Sequence, residues 1–268
     1  MRSFLVVYLG LAVLAPLFAL LERWRPATPT PRTRRGIAID LLYWVVTPVF
    51  TGTLARVLTF GVVGVIGLAL GHGLDGEGFL ARLGAAMPFG RWSFAAALPV
   101  ALVIADLVAY LSHRLRHTFA LWRLHAVHHA VEELTALGAA RLHPLDEAID
   151  AILIGATLLL LGFTPEVFAA VGPITLLHTL FLHANLDWSL GPLGRVLASP
   201  RFHRRHHARD LPSANYGGVL AVWDVLFGTF DMPARDPAPF GIPERDVPEG
   251  FFGQLAYPAR RLYAAITR

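Results

Sequence analysis

Ser112-His113-Arg114-Leu115-Arg116-His117-Thr118-Phe119-Ala120-Leu121-Trp122-Arg123-Leu124-His125-Ala126-Val127-His128-His129 holds five of the chain's twelve histidines. On a helix, residues three and four apart share a face. His113 and His117 are therefore expected to point one way, and His125, His128 and His129 to share a second face. The order is H-x3-H followed by H-x2-H-H, and its second half recurs downstream as His203, His206 and His207. Neutral imidazole is the commonest protein metal ligand. Eight imidazoles are more than one metal ion takes.

The run from Trp92 to Ser112 is apolar and delivers the chain straight into His113. Asp106, Tyr110, His113 and His117 fall on one helical stripe of this segment. An ionisable residue inside a span is costly and points to function, although Asp106 is equally compatible with a capping or helix-pairing role. Upstream, Phe4 to Leu21 is apolar and ends at Glu22-Arg23-Trp24-Arg25-Pro26. The run is longer than the apolar part of a signal peptide, and no small-residue cleavage site follows, so a retained transmembrane helix is expected. Arg32, Arg34 and Arg35 place the following loop in the cytoplasm. A second apolar region, Ile37 to Leu70, exceeds the roughly 20 residues that one span needs; Pro48 and Gly52 divide it into an interfacial piece and a span. Gly71 to Gly78 reads as a glycine-rich loop, with His72 in solvent.

Composition agrees with this membrane frame. Of 268 residues, 55% are hydrophobic and 16% charged, with mean hydropathy +0.53, whereas soluble domains carry about 25% charged residues. With no cysteine, disulfides and thiolate ligation are excluded, leaving nitrogen and oxygen to bind any metal. The net charge of +4 comes from arginines without lysine, and they flank apolar runs. Lipid headgroups explain them better than nucleic acid does.

Downstream, Glu132, Glu133, Arg141, His143 and Pro144 lie in a mixed polar segment; the proline keeps His143 out of a helix interior. Ala148 to Gly162 and Pro165 to Leu182 read as a helical hairpin joined by Gly162-Phe163-Thr164-Pro165. If the second region crosses once, parity puts His113 to His143, His183 and His203 to His207 on one side of the membrane. The expected architecture is an all-α integral membrane bundle of about four to five segments with a cytoplasmic histidine-rich cap. It is a single domain: N-terminal transmembrane helices to residue 112, a first histidine region over 113–147, the hairpin over 148–184, and a cap over 185–268. The tail beyond Pro233 reads as irregular, closing in an arginine-rich helix from Pro258 to Arg268 that suits a lipid surface.

Histidine suits Zn, Cu, Fe and Ni. Three clusters sorted to one side divide naturally over two ions that act on one small molecule. A zinc protease is a poor fit without H-E-x-x-H. Redox-active iron that works on dioxygen is the better fit for an apolar site with no nucleophile. A membrane metal transporter or storage protein is the alternative, although the spans carry few polar groups beyond Asp106.

These residues also carry a resemblance. His113 to His117, His125-Ala-Val-His128-His129, Arg141-Leu-His143-Pro144, His183-Ala-Asn185, Pro200-Arg-Phe-His203-Arg-Arg-His206-His207, Asn215-Tyr-Gly217 and Trp223-Asp224-Val-Leu-Phe227-Gly-Thr229 resemble the fatty acid hydroxylase/sterol desaturase superfamily over roughly Asp106 to Phe230. The resemblance implies a non-haem di-iron oxygenase that uses O2 and two electrons to hydroxylate or desaturate a lipid-like substrate, such as a sterol, fatty acyl or alkylglycerol lipid. It implies His113, His117, His125, His128, His129, His203, His206 and His207 as ligands of two iron ions, with His183 and His143 added. His178 stands five residues before His183, about 140° round a regular helix, where relatives often place this pair four apart. Asp106, Tyr110, Asn215 and Asp224 are the catalytic candidates, and Asp106, Asp146, Asp187, Asn215 and Asp224 the candidate acceptors behind the imidazoles. Arg123, Arg141 and Arg204 are expected to meet carboxylates or headgroups. Substrate is expected through the bilayer and electrons from a separate protein. The expected location is the bacterial inner membrane, histidines on the cytoplasmic side.

Overall fold

Long apolar stretches with capped ends set the architecture, as a computed structural model of the chain shows for residues 2–28, 34–72, 75–118, 121–237, 239–243 and 246–267. The expectations for Arg32 and Arg268, and for the side chains of Arg34 and Arg35, fall outside the described residues. Eleven α-helices occur among the described residues: α1 (Arg2–Trp24), α2 (Arg34–Val46), α3 (Gly52–Ala69), α4 (Gly76–Ala86), α5 (Phe94–Arg116), α6 (Trp122–His129), α7 (Pro144–Leu160), α8 (Pro165–His183), α9 (Pro200–His206), α10 (Val222–Phe227) and α11 (Phe251–Ile266). There are no strands among these residues, only two isolated bridges.

Four helical stretches are long and apolar enough to cross a membrane: Leu5–Trp24, Gly36–Ala69, Phe94–Arg116 and Pro165–His183. Leu5, Val13, Leu20, Val57 and Val65 are exposed on their outer faces, where lipid tails take the place of water. The molecule is thus an integral membrane helical bundle. The second stretch is divided where Pro48 and Gly52 suggest, by a wide π turn over Thr47–Thr51 between α2 and α3. α7 has 17 residues and is not one of the four.

In lipid, helices associate by close packing rather than by burying apolar surface, so small residues mark the contacts. Gly155 of α7 is one such point. A Cβ there would lie 2.6 Å from Thr59 Cγ2 of α3 and 2.9 Å from Phe168 Cε2 of α8. Ala97, Ala101 and Ala105 give α5 the same kind of face against Leu158, Val167 and Val171.

Charged residues then tie one end of the bundle together. Glu22 Oε1, at the end of α1, accepts from the backbone of Ala136 at 2.7 Å and Asn185 at 2.9 Å. Asp40 of α2 holds Arg141, and Arg116 at the end of α5 pairs with Asp146 and Asp150 at the start of α7. The C-termini of α1, α5 and α8 and the N-terminus of α7 therefore meet where the histidines are.

Two expectations are revised. The C-terminal helix begins at Phe251 rather than Pro258, because Tyr257 packs onto Ala126 and Val127 of α6. The glycine-rich loop ends early: Asp75 accepts from Gly78 at 2.8 Å and caps α4. His72 packs against Phe79 with the rings tilted and their centroids 4.9 Å apart.

Candidate metal centre

The histidines are delivered by the C-terminal ends of α5 and α8 and by the short helices α6 and α9. Ser93 caps α5, which runs on to His113 and ends with His117 as its last half-turn. His117 sits there with Arg114 and Arg116, cations suited to a helix C-terminus. Ser199 Oγ accepts from Phe202 N at 3.3 Å, and Pro200 opens the helix, which gives the seven-residue α9 a fixed start. Fully buried Phe202 then pins it, so His203, His206 and His207 all face inward. α8 ends at His183.

Nine imidazoles gather into two groups. His113, His117, His125, His129 and His206 form one; His128, His183, His203 and His207 form the other, and within each group the ligand atoms lie within 4.8 Å of one another. This corrects the expectation that His125, His128 and His129 serve a single face. In each H-x2-H-H motif the outer pair, four residues apart, serves one group and the middle histidine serves the other. His125 and His129 go with His206, whereas His203 and His207 go with His128.

The nitrogens show what such a set can hold. Nδ1 of His113 donates to Tyr216 O at 2.8 Å, of His128 to Arg141 O at 3.2 Å, of His183 to Thr179 O at 2.9 Å, and of His206 to Ala214 O at 2.7 Å. His125 Nδ1 donates to Asp146 Oδ2 at 2.8 Å. A carbonyl or carboxylate can only accept, so each of these rings carries its proton on Nδ1 and turns a bare lone pair inward on Nε2. Yet Nε2 atoms face each other at 3.0 Å for His113 and His125 and at 3.2 Å for His128 and His183. Opposed lone pairs at that distance repel, and a shared cation removes the conflict. His129 Nε2 is buried with no hydrogen-bond partner among the described residues.

Protonation is a poor alternative to metal. Burial first, then neighbouring cationic groups, hold His117 down to about 3. Burial is also the main cause that keeps His125, His128, His129, His203, His206 and His207 well below the ordinary imidazole range. Two buried all-nitrogen sets with lone pairs converging are a fit for two transition-metal ions of the kind imidazole favours.

A cavity of about 340 Å³ opens beneath the groups, lined at one end by His113, His125, His128, His183 and His203. Ala105, Ala109, Ile154, Phe168, Val171 and Leu176 line it between the spans. On the other side of the five-membered group a smaller cavity of about 170 Å³ meets His117, His129 and His206, with Trp122 and Arg209 on its wall.

The remaining candidates lie around the groups. His143 caps α7, accepting from Leu145 N at 3.2 Å through Nδ1 and approaching Leu255 O at 3.1 Å through Nε2; with both nitrogens engaged, it belongs to neither group. His178 lines the larger cavity outside both groups, its Nε2 buried without a partner. Asp106 accepts from Val219 N at 2.7 Å, Leu220 N at 2.8 Å and Trp223 Nε1 at 3.0 Å. Asp224 takes Tyr216 N, Gly217 N and Thr229 Oγ1 at 2.6 to 2.8 Å. Asn215, at a left-handed φ of 61°, donates to Phe202 O at 2.9 Å and Asp231 O at 2.6 Å. Tyr110 bonds Thr229 Oγ1 at 2.8 Å and stacks on Phe227. These four build the loop whose Tyr216 carbonyl holds His113. Asp187 pairs with Arg201 rather than with an imidazole, and Arg204 pairs with Asp236.

Three contributors were not singled out in the sequence: Arg116, Tyr216, whose ring packs against His113, His117 and His206, and Trp122, which packs against His117 and His129. The signals for them were position: Arg116 and Trp122 lie inside the histidine stretch, and Tyr216 lies inside the Asn215-Tyr-Gly217 motif.

Likeness to known proteins falls on the same residues. The family model described as fatty acid hydroxylase matches residues 98–229. Ornithine lipid hydroxylase OlsE of Rhizobium tropici is 39% identical over 175 residues, covering 64% of this chain and 53% of that protein. Alkylglycerol monooxygenase of Danio rerio is 34% identical over 154 residues, 56% of this chain and 34% of that protein. Sphingolipid C4-hydroxylase sur2 of Schizosaccharomyces pombe is 28% identical over 145 residues, 52% and 49%. The chain thus spans about half or less of the length of these curated relatives, whose names give the transporter alternative no support. No solved structure matches the chain.

Proposed function

We propose that the chain is a membrane-bound di-iron oxygenase of the fatty acid hydroxylase kind that hydroxylates a lipid, a reading supported by the family model over residues 98–229. One observation carries this reading: the apolar cavity between the spans ends on histidines of both groups. A lipid chain entering from the bilayer would find a wall of its own chemistry, and its C–H bonds would be brought against the imidazole sets.

His113, His117, His125, His129 and His206 would hold one iron, and His128, His183, His203 and His207 the other. Iron there supplies hydroxylation by O2, with two electrons from a separate donor protein and two protons, giving one hydroxyl group and one water. The chain's own residues fix the frame. Asp146 and the carbonyls of Tyr216, Arg141, Thr179 and Ala214 hold the imidazole protons on Nδ1, so that Nε2 stays free to bind. Asp106, Asn215 and Asp224 act as positioning residues by building the Tyr216 loop, and Tyr110 supports that loop through Thr229. The apolar wall orients the substrate and excludes water. By the arginines flanking α1 and α2, the histidine end faces the cytoplasm, in a bacterial cell across the inner membrane. Ornithine lipids, alkylglycerols and sphingolipids, the substrates named for its relatives, are the first classes to try, with sterols and fatty acyl lipids after them.

The test compares lipids by mass spectrometry in cells with and without the gene, alongside metal content of the purified protein. A gain of one oxygen mass in a lipid class, lost in His128→Ala, is expected. Loss of two hydrogens instead would indicate desaturation. An active protein free of metal would sink the proposal.

A further inference from the structure

The apolar cavity carries a polar corner that the histidine chemistry does not use. Glu147 and Asp150 lie three residues apart on the first turns of α7, hence on one face, and both line the cavity. Arg116 is committed to Asp150 and to the preceding Asp146, leaving Glu147 aside: one guanidinium nitrogen lies 3.2 Å from Asp146, another 2.6 Å from Asp150. Arg56, the other cation on the wall, donates to Thr53 Oγ1 at 3.3 Å. Glu147 has no side-chain hydrogen bond or ion pair among the described residues, and its Oε2 is buried there without a partner. A buried carboxyl left without a donor is expensive. Nothing in the fold requires one on this wall, and an apolar side chain would suit the surroundings better.

Resting on the lipid hydroxylase reading, we propose that Glu147 and Asp150 are the polar anchor of the substrate cavity, binding a hydrogen-bond-donating group of the lipid, an ammonium or a hydroxyl. The apolar wall takes the attached chain. Anionic headgroups are disfavoured, because the three carboxyls Asp146, Glu147 and Asp150 outnumber the two cations Arg56 and Arg116. The anchor also sets where oxidation falls. Asp146, which holds His125, precedes Glu147 by one residue and Asp150 by four, about 6 Å along the helix, so the polar group is fixed close to the histidines. The carbon oxidised is then near the polar end of the lipid, not at the far end of its chain.

The experiment measures binding apart from turnover. Octadecylamine, octadecanol and octadecanoic acid, equal in chain length, are titrated onto the metal-loaded protein in detergent and their dissociation constants read by native mass spectrometry. Wild type is expected to bind the amine or the alcohol about tenfold or more tighter than the acid, as a charge-assisted hydrogen bond supplies, and Glu147→Leu is expected to remove that preference. Glu147→Gln, which keeps the shape and removes the charge, distinguishes the two donors: it weakens an ammonium and spares a hydroxyl. Equal binding of all three by wild type overturns the proposal, as does an undiminished preference in both variants. If the protein binds donor-bearing lipids yet oxidises none, the hydroxylase reading fails and the anchor stands.

Discussion

The five-imidazole and four-imidazole groups are built from the same two H-x2-H-H motifs, yet they differ in what stands behind the rings. In the larger group His125 is backed by a carboxylate, Asp146, while His113 and His206 are backed by carbonyls of the loop after α9. In the smaller group His128 and His183 are backed by carbonyls, and Nδ1 of both His203 and His207 is buried with no partner among the described residues. Their settings differ too. The smaller group is wholly buried and contributes three of its four members to the larger cavity, whereas the larger group also meets the second cavity through His117, His129 and His206. The larger set is therefore the more firmly oriented, and the smaller relies on packing around α9.

The sharpest way to break this comparison is to delete the middle histidine of each motif. His128→Ala leaves three imidazoles in one group and His206→Ala leaves four in the other. Lipid oxidation is expected to fall at least about a thousandfold in both, with the protein retained in the membrane, but metal analysis should show the larger loss for His128→Ala. Equal loss would contradict the difference in ligand reserve. Next in size is Asp146→Asn, which removes the one carboxylate behind a ligand. Metal in the larger group should be held about 10- to 100-fold more weakly by chelator competition, the smaller group being unaffected.

Acid should act on the metal-free protein in a defined direction. The folded imidazoles have lowered pKa values, so the unfolded chain binds more protons from about pH 6.5 down to those lowered values, about 3 for His117. Stability therefore falls as pH drops through that window. The midpoint of thermal unfolding should decline from pH 7 to pH 4, and metal should suppress the decline; a pH-independent midpoint would argue against buried neutral rings. The smallest effect is expected for Asp224→Asn, which turns an N–H toward an N–H in the Tyr216 loop. It should cost about 2 kcal/mol of stability while both metals are retained.

Much of this was legible in the chain. Length and hydropathy revealed the spans, Pro48 and Gly52 marked the break between α2 and α3, and the recurring histidine spacing gave eight of the nine members of the two groups, the ninth, His183, coming from the family resemblance. Partnership was less legible. Helical spacing reports which residues share a face, but His125 and His128 lie on adjoining edges of that face, and only the position of α9 decides which edge meets which neighbour. His143 looked like a ligand beside its motif, although the following Pro144 is also the signature of a helix start, and capping prevailed. Asp106 sits on the same stripe as His113, yet a stripe does not reveal that a loop more than a hundred residues later supplies three donors to it. Long-range hydrogen bonds leave no local periodicity.

The crossed allegiance of the two H-x2-H-H motifs gives this part of the chain something like a reading frame. Inserting or deleting one residue between His203 and His206 would rotate the rest of the helix by about 100° and hand His206 and His207 to the wrong neighbours, spoiling both centres at once. The same change in the connection after Asp236 would meet no such constraint. Variation in length among functional descendants of this sequence should therefore be absent inside α6 and α9 and tolerated outside them.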